Sequence, residues 1–156
     1  EVVDLGTLAT ELVARHAAAA AGKRQTLATD APTGRVRVQA DPTLLAQIGD
    51  NFVTNALKFS PAGAAVRIEL LTAPGAGVAR LAVVDEGPGV TPEDQGKLFH
   101  KFSRGAARPT AGEPSAGLGL ATVRRLAEAM GGRVGCDSPV TTAGGASFWI
   151  EMPETI

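Results

Sequence analysis

The segment DPTLLAQIGDNFVTNALKFSP, residues 41–61, constrains the fold more than any other. Asp41 is a good N-cap, Pro42 suits the first helical position, and Pro61 ends the run. At ~100° per residue, Leu45, Ile48, Phe52, Ala56 and Phe59 fall on one apolar stripe, which predicts a core-facing helix. Gln47, Asn51, Asn55 and Lys58 form a second row beside it. Asn is a weak helix former because its side chain competes for backbone hydrogen bonds. Two of them, four apart, therefore ask for a reason. Asn55 is expected to lie nearest the stripe and to be partly buried, with partners needed for both its oxygen and its NH₂. A polar row that satisfies neighbouring backbone meets that need. So does a ligand site: a carboxamide oxygen can coordinate Mg²⁺, which takes few protein ligands and keeps waters and phosphates. Lys58 could then meet a phosphate as a point charge.

The flanking segments supply an α/β frame. Asp4 can cap a helix from Leu5 to about Ala21, with Leu5, Leu8, Leu12 and Val13 as its stripe and Gly22 as its stop. QTLATDA and RVRVQA read as strands. AAVRIELLT and VARLAVVD read as a hairpin around APGAG. A further helix from about Leu118 to Met130 has Leu120, Val123, Leu126, Ala127 and Met130 on one face, and RVGCDS and ASFWIEMP close the chain as a strand pair. The order α, ββ, α, ββ, loop, α, ββ predicts a single domain over residues 1–156. It is an α/β two-layer arrangement, a mixed β-sheet covered on one face by about three helices.

Composition excludes several functions. A net charge of −1 and a pI near 6.2 give a nucleic-acid groove no electrostatic support. The lone Cys136 cannot form an internal disulfide, which points to a reducing, cytoplasmic compartment. No apolar run is long enough to span a bilayer, so no direct membrane contact is expected of this segment. The chain opens on Glu1 and reads as part of a longer protein that could carry a membrane anchor elsewhere.

Three more stretches carry chemistry. The apolar strand RLAVVD emerges at Asp85, followed by Gly87 and Gly89; the acid either forms a turn or faces a pocket as an acceptor, and the glycines let backbone approach a flat ligand. SAGLGLATV sets Gly117 and Gly119 at a helix mouth, where free N–H groups favour an anion, or where a loop simply turns into a helix. Neither glycine pair completes a P-loop or a dinucleotide fingerprint. KLFHKFSRG carries Phe99 and Phe102 three apart, then Arg104, as a small plug or as the anchor of a lid. The whole stretch 86–116 is rich in Gly, Pro and small residues, with one short helix expected from about Thr91 to Phe99. Within it, 105–115 has few apolar anchors and is expected to be mobile without ligand.

Taken in order, DNFVTNALKFSP, DEGPGV, KLFHKF and GLGL resemble the N, G1, F and G2 boxes of the ATP-binding catalytic domain of bacterial sensor histidine kinases, in the superfamily shared with gyrase and MutL. The resemblance covers nearly the whole chain, and ADPTLLAQIGDN and GGASFWIEMP fit it as well. It implies the Bergerat fold, a mobile ATP lid at approximately 86–116, and ATP and Mg²⁺ as ligands. By resemblance, Asn55 binds Mg²⁺, Asn51 lies near the phosphates and Lys58 contacts them, the three being the catalytic set. Asp85 resembles the acid that accepts from the adenine amine, and Gly87 and Gly89 the glycines that shape its pocket. Gly117, Leu118 and Gly119 resemble the turn under the phosphates, and Leu120, with Phe99 and Phe102 of the F box and Arg104 just after it, completes the implied nucleotide-binding set. The chain departs from the family pattern at Ser115, usually Gly, at His100, usually an acid, and at Ser103, often an aromatic; these bear on lid geometry.

The resemblance also implies partners. The family's acceptor histidine lies on a separate dimerisation hairpin, in a motif where an acid follows it. His16 is followed by alanines and His100 lies in the lid, so the acceptor is expected elsewhere in the same protein, with a response regulator downstream. The alternatives are a non-catalytic nucleotide-sensing module and a related serine kinase or hydrolytic ATPase. The ATPases carry Glu where Asn51 stands, and Asn cannot act as a base.

Overall fold

The computed structural model describes residues 1–31, 36–73, 77–87, 120–138 and 145–155. In chain order these form β1 (Val2–Asp4), α1 (Leu5–Gly22), β2 (Thr26–Thr29), β3 (Arg37–Gln39), α2 (Pro42–Phe59), β4 (Ala65–Ala73), β5 (Val78–Asp85), α3 (Leu120–Ala129), β6 (Arg133–Asp137) and β7 (Ala146–Thr155). Both expected caps are present. Asp4 accepts from the Gly6 and Thr7 N–H groups, and Asp41 from those of Thr43 and Leu44 with Pro42 following. The expected 91–99 helix falls outside the described residues, as does most of the expected 86–116 lid.

The strands make one mixed sheet in the order β1-β3-β7-β5-β4-β2, with β6 also on β7. Ten-residue β7 organises it. One edge pairs with β5 from Ala146 to Pro153, and the other takes β6 at Ser147–Glu151 and then β3 at Glu154–Thr155. The two strands that follow α1 part company: β2 runs parallel to β4 at one end, while β3 joins β1 and β7 at the other. The β4–β5 hairpin has the expected antiparallel register, from Arg67 opposite Val84 to Ala73 opposite Val78.

Period-2 alternation sends one side of each strand to the helices. Val66, Ile68, Ala79, Leu81, Val83, Phe148, Ile150 and Met152 are buried there with Leu5, Leu8, Leu12, Leu45, Ile48, Phe52, Val53, Ala56, Val123 and Ala127 from the helices. The Phe52 and Phe148 rings meet at 6.0 Å. A Cβ on Gly49 would lie 2.8 Å from Leu12 Cδ1, which marks the close approach of α1 and α2. One expectation needs correction. Phe59, at the end of α2, is only half-buried, and Val53 and Leu57 fill the core instead. Val13, half-buried, packs against the core as its place on the stripe predicts.

The opposite face is covered by polar side chains. The Arg80 guanidinium sits 3.9 Å from the centre of the Trp149 ring and bonds Glu151 at 2.6 Å, while Arg133 reaches Glu151 from the other side at 2.6 Å. Burial pushes the Glu151 carboxyl up, but hydrogen bonds from the two arginines outweigh it and hold the group below its ordinary range. Among the described residues no helix is long and apolar enough to cross a membrane.

Candidate functional site

The polar row of α2 is ordered by its own members. Asn55 Nδ2 donates to Asn51 Oδ1 at 3.2 Å, one helical turn back. This bond uses the Asn55 amide nitrogen and leaves its oxygen for another partner. Asn51 and Lys58 are buried, whereas Asn55 is half-buried. Asn55 was expected nearest the apolar stripe and is partly buried, yet Asn51 is the deeper of the two. A helical wheel contains no neighbours, and α1 and α3, which pack beside α2, decide the final burial.

Asp85 ends β5 at 5% exposure. Burial raises its carboxyl to about 6, although hydrogen bonds from the Gly87 and Ala146 N–H groups pull the other way. The Gly87 bond is 2.9 Å long, and the Gly87 carbonyl in turn accepts from Gly145 N at 3.0 Å. Glu86, next in line, accepts from the Ala65 N–H and ties the turn to the start of β4. The turn therefore rests on three strands.

Gly87 joins this turn to the helix. A Cβ built on it would stand 2.7 Å from the Phe59 carbonyl oxygen and 3.2 Å from Asp85 Oδ1. The nearest obstacle is backbone, so no side-chain rotation can relieve it. The end of α2 and the Asp85 turn are thus in contact only because residue 87 lacks a side chain. Gly87→Ala is expected to destabilise the domain by about 1–3 kcal/mol, the usual cost of overpacking. Chemical denaturation measures this; a loss below about 0.5 kcal/mol would refute the contact.

The structure brings together Asn51 with Asn55, and Asp85 with Gly87, and sets the last residue of α2 against that turn. Leu120 opens α3 and packs half-buried against the core. Gly89, Phe99, Phe102, Arg104, Gly117, Leu118 and Gly119 lie outside the described residues, as do His100, Ser103 and Ser115. Among the described residues no group of three or more His, Cys, Asp or Glu could hold a metal ion. A carboxamide oxygen alone suits a cation ligated mainly by phosphate and water, so the residues present fit Mg²⁺ in that form.

Sequence reasoning missed two features beside the site. Asp50, the residue before Asn51, accepts from Arg15 at 3.1 Å and lies 2.8 Å from His16 Nε2, which ties α1 to α2. His16 is thus a structural helix residue. Lys23 and Gln25 donate to the last carbonyls of α2. Cys136, on β6, is pushed up to about 12 by burial and by the charges of Asp85 and Asp137, so at neutral pH it is a thiol and not a nucleophile.

The chain is thus an α/β sandwich with a carboxamide pair on one helix and a buried acid where an apolar strand ends. The family described as "Histidine kinase-, DNA gyrase B-, and HSP90-like ATPase" matches residues 40–156. SenX3 of Mycobacterium tuberculosis, a sensor-like histidine kinase, is 36% identical over 154 residues, covering 99% of this chain and 36% of that protein. The mycobacterial sensor histidine kinase MprB superposes with a TM-score of 0.82 at 27% identity, covering 99% of this chain and 98% of that one. Full-length ShkA, solved with AMPPNP, gives a TM-score of 0.78 at 34% identity, covering 99% of this chain and 31% of that one. This chain belongs to the histidine kinase-, gyrase B- and HSP90-like ATPase family, as an ATP-binding catalytic domain of the sensor histidine kinase type. It spans about a third of the length of the curated relatives it matches, 36% in the case of SenX3.

Proposed function

We propose that this domain binds Mg·ATP and presents the γ-phosphate to a histidine on a separate dimerisation hairpin of the same protein, from which it passes to a response regulator. The observation that carries the reading is the Asn51–Asn55 pair, on a helix whose last residue meets the Asp85 turn. Asn55 would hold Mg²⁺ through the oxygen that the Asn51 bond leaves unused. Bound there, the ion would neutralise charge on the triphosphate. Lys58 meets the phosphates, and Asp85 accepts from the adenine amine. The family resemblance alone assigns nucleotide contacts to Gly89, Phe99, Phe102, Arg104, Gly117, Leu118, Gly119 and Leu120. ATP and a reduced Cys136 support a cytoplasmic setting. The domain's contribution to transfer is positioning and electrostatics, with no covalent step of its own.

Two features limit the chemistry. Asn51 is no general base, so water is not activated. His16 is engaged with Asp50 on α1 and is not offered to a nucleotide. The chain alone should therefore bind ATP, hydrolyse it slowly and fail to label itself. Adding the dimerisation hairpin of the same protein should produce a phosphoramidate, stable to alkali and labile to acid. Radiolabelled ATP with each component, then with both, is the test. Efficient self-labelling of residues 1–156 would indicate another kinase class. Tight Mg·ATP binding with no transfer to the hairpin would indicate a nucleotide-sensing module.

A further inference from the structure

Helix α2 ends without the glycine that commonly finishes a helix. Its C-cap, Ser60, is extended at φ −84° and ψ 142°, and its N–H returns to Ala56 O at 3.1 Å. The carbonyls left over at the helix end need other partners. They are taken by two side chains from the turn between α1 and β2. Lys23 Nζ donates to Leu57 O at 2.9 Å and to Lys58 O at 3.1 Å. Gln25 Nε2 donates to Leu57 O at 3.0 Å and to Ser60 O at 2.9 Å. Gln25 is 7% exposed, and its amide nitrogen is turned to the end of α2.

The turn that presents them is strained. Arg24, between the two, has φ 56°, the only positive φ of a non-glycine among the described residues. A left-handed backbone costs such a residue roughly 1–2 kcal/mol. A left-handed residue after the C-cap is a common finish of a helix, here that of α1. Here the turn is fixed by Lys23 N to Ala20 O at 3.1 Å, Arg24 N to Ala21 O at 3.0 Å and Gln25 N to Ala20 O at 2.9 Å. The αL residue lets Lys23 and Gln25 both face the end of α2. A cation there also complements the helix dipole.

What they grip is the last turn of α2, which begins one turn after Asn51 and carries Asn55, Lys58 and the Phe59 carbonyl that abuts Gly87. We propose that Lys23 and Gln25 are positioning residues for the phosphate end of the nucleotide site. They hold the backbone of Leu57, Lys58 and Ser60 from outside the pocket, and so set where the Lys58 side chain starts. This rests on the proposed role of Lys58 toward the triphosphate. An ordinary helix cap would stabilise the fold and would not distinguish one part of a ligand from another.

That difference is measurable on the 156-residue chain. Gln25→Met keeps the size and changes no charge, and Lys23→Met with Lys23→Arg separates a lost donor from a retained one. Calorimetric titration with Mg·ATP and with adenosine, well below each variant's melting point, reads the two ends of the site separately. Gln25→Met is expected to weaken Mg·ATP about tenfold and adenosine less than about twofold, since misplacement by about 1 Å can cost as much as 100-fold. Lys23→Met should do the same and Lys23→Arg should restore most of the loss. If Gln25→Met fails to fold, the Lys23 pair decides alone. Unchanged Mg·ATP affinity, or equal losses for both ligands, overturns the positioning role while leaving the site reading intact. A wild-type chain that binds neither ligand overturns the reading and this proposal together.

Discussion

Asp85→Asn is expected to make the empty domain more stable at neutral pH while costing it most of its affinity for ATP. Asp85 is 5% exposed, and burial raises its carboxyl to about 6 from 3.8. Its folded value lies above its unfolded one, so the folded state binds the proton more tightly. Ionised Asp85 therefore destabilises the fold above pH 6, and that cost shrinks as the pH falls from 6 toward 3.8. The full difference is worth at most about 3 kcal/mol. Asn removes the charge but has one acceptor oxygen where the carboxylate has two for the Gly87 and Ala146 N–H groups, so the gain will be smaller. The melting-temperature advantage of the variant should be positive at pH 7.5 and decline as the medium is acidified. An advantage that grows toward acid, or none at any pH, would sink the argument. For the ligand the sign reverses. A hydrogen bond to a charged acceptor contributes about 1.5–3 kcal/mol, so ATP should bind about 10–100-fold more weakly to the variant. Guanine offers a carbonyl where adenine offers an amine, and two acceptors repel; the wild type should prefer ATP over GTP by up to about 10⁴-fold. Asn can donate to that carbonyl, so the preference should narrow. Equal binding of ATP and GTP by the wild type would remove Asp85 from the adenine edge.

The helices and most strands were legible because their signals are local. Asp4, Asp41 and Pro42 mark their own helix starts, and alternation in VARLAVVD and ASFWIEMP marks the buried side of β5 and β7. Strand order was not legible. The alternation of RVRVQA says nothing about which edge it will join, and β3 lies three-quarters of the chain length away from its partner residues 154–155 on β7. Pairing over such a separation is a property of the closed core. In the site, residue types and spacing made Asn51, Asn55, Lys58 and Asp85 visible. Their supports were hidden for a different reason. Lys23 lies between the expected helix and strand, Gln25 opens the stretch QTLATDA that reads as a strand, and their role exists only once the end of α2 is brought against them. Asp50 was hidden for the same reason: its partners Arg15 and His16 lie on α1 and meet it only once the two helices pack.

Asn55→Ala is expected to remove the Mg²⁺ dependence of ATP binding and to leave the fold in place. The side chain is half-buried, and its described hydrogen bond goes to Asn51 one turn away, not to the sheet. Losing that bond costs about 1 kcal/mol, and Ala, the better helix former, returns about half of it. Net stability should therefore shift by less than about 1 kcal/mol. The ligand loses far more. With the carboxamide gone, α2 presents no oxygen at this position, and no cluster of acids among the described residues can replace it. Titration of ATP with and without Mg²⁺ should show a large metal-dependent gain for the wild type and almost none for the variant, while adenosine binds both alike. Asn55→Asp separates the two jobs of the side chain. A carboxylate can still ligate the cation, but it cannot donate to Asn51 Oδ1, and two acceptors would then face each other across one helical turn. Metal dependence should survive in that variant with weaker overall affinity. If Asn55→Ala keeps its full metal-dependent gain, Mg²⁺ is held elsewhere; if Asn55→Asp loses it as completely as Ala does, the bond to Asn51 is what makes the oxygen available.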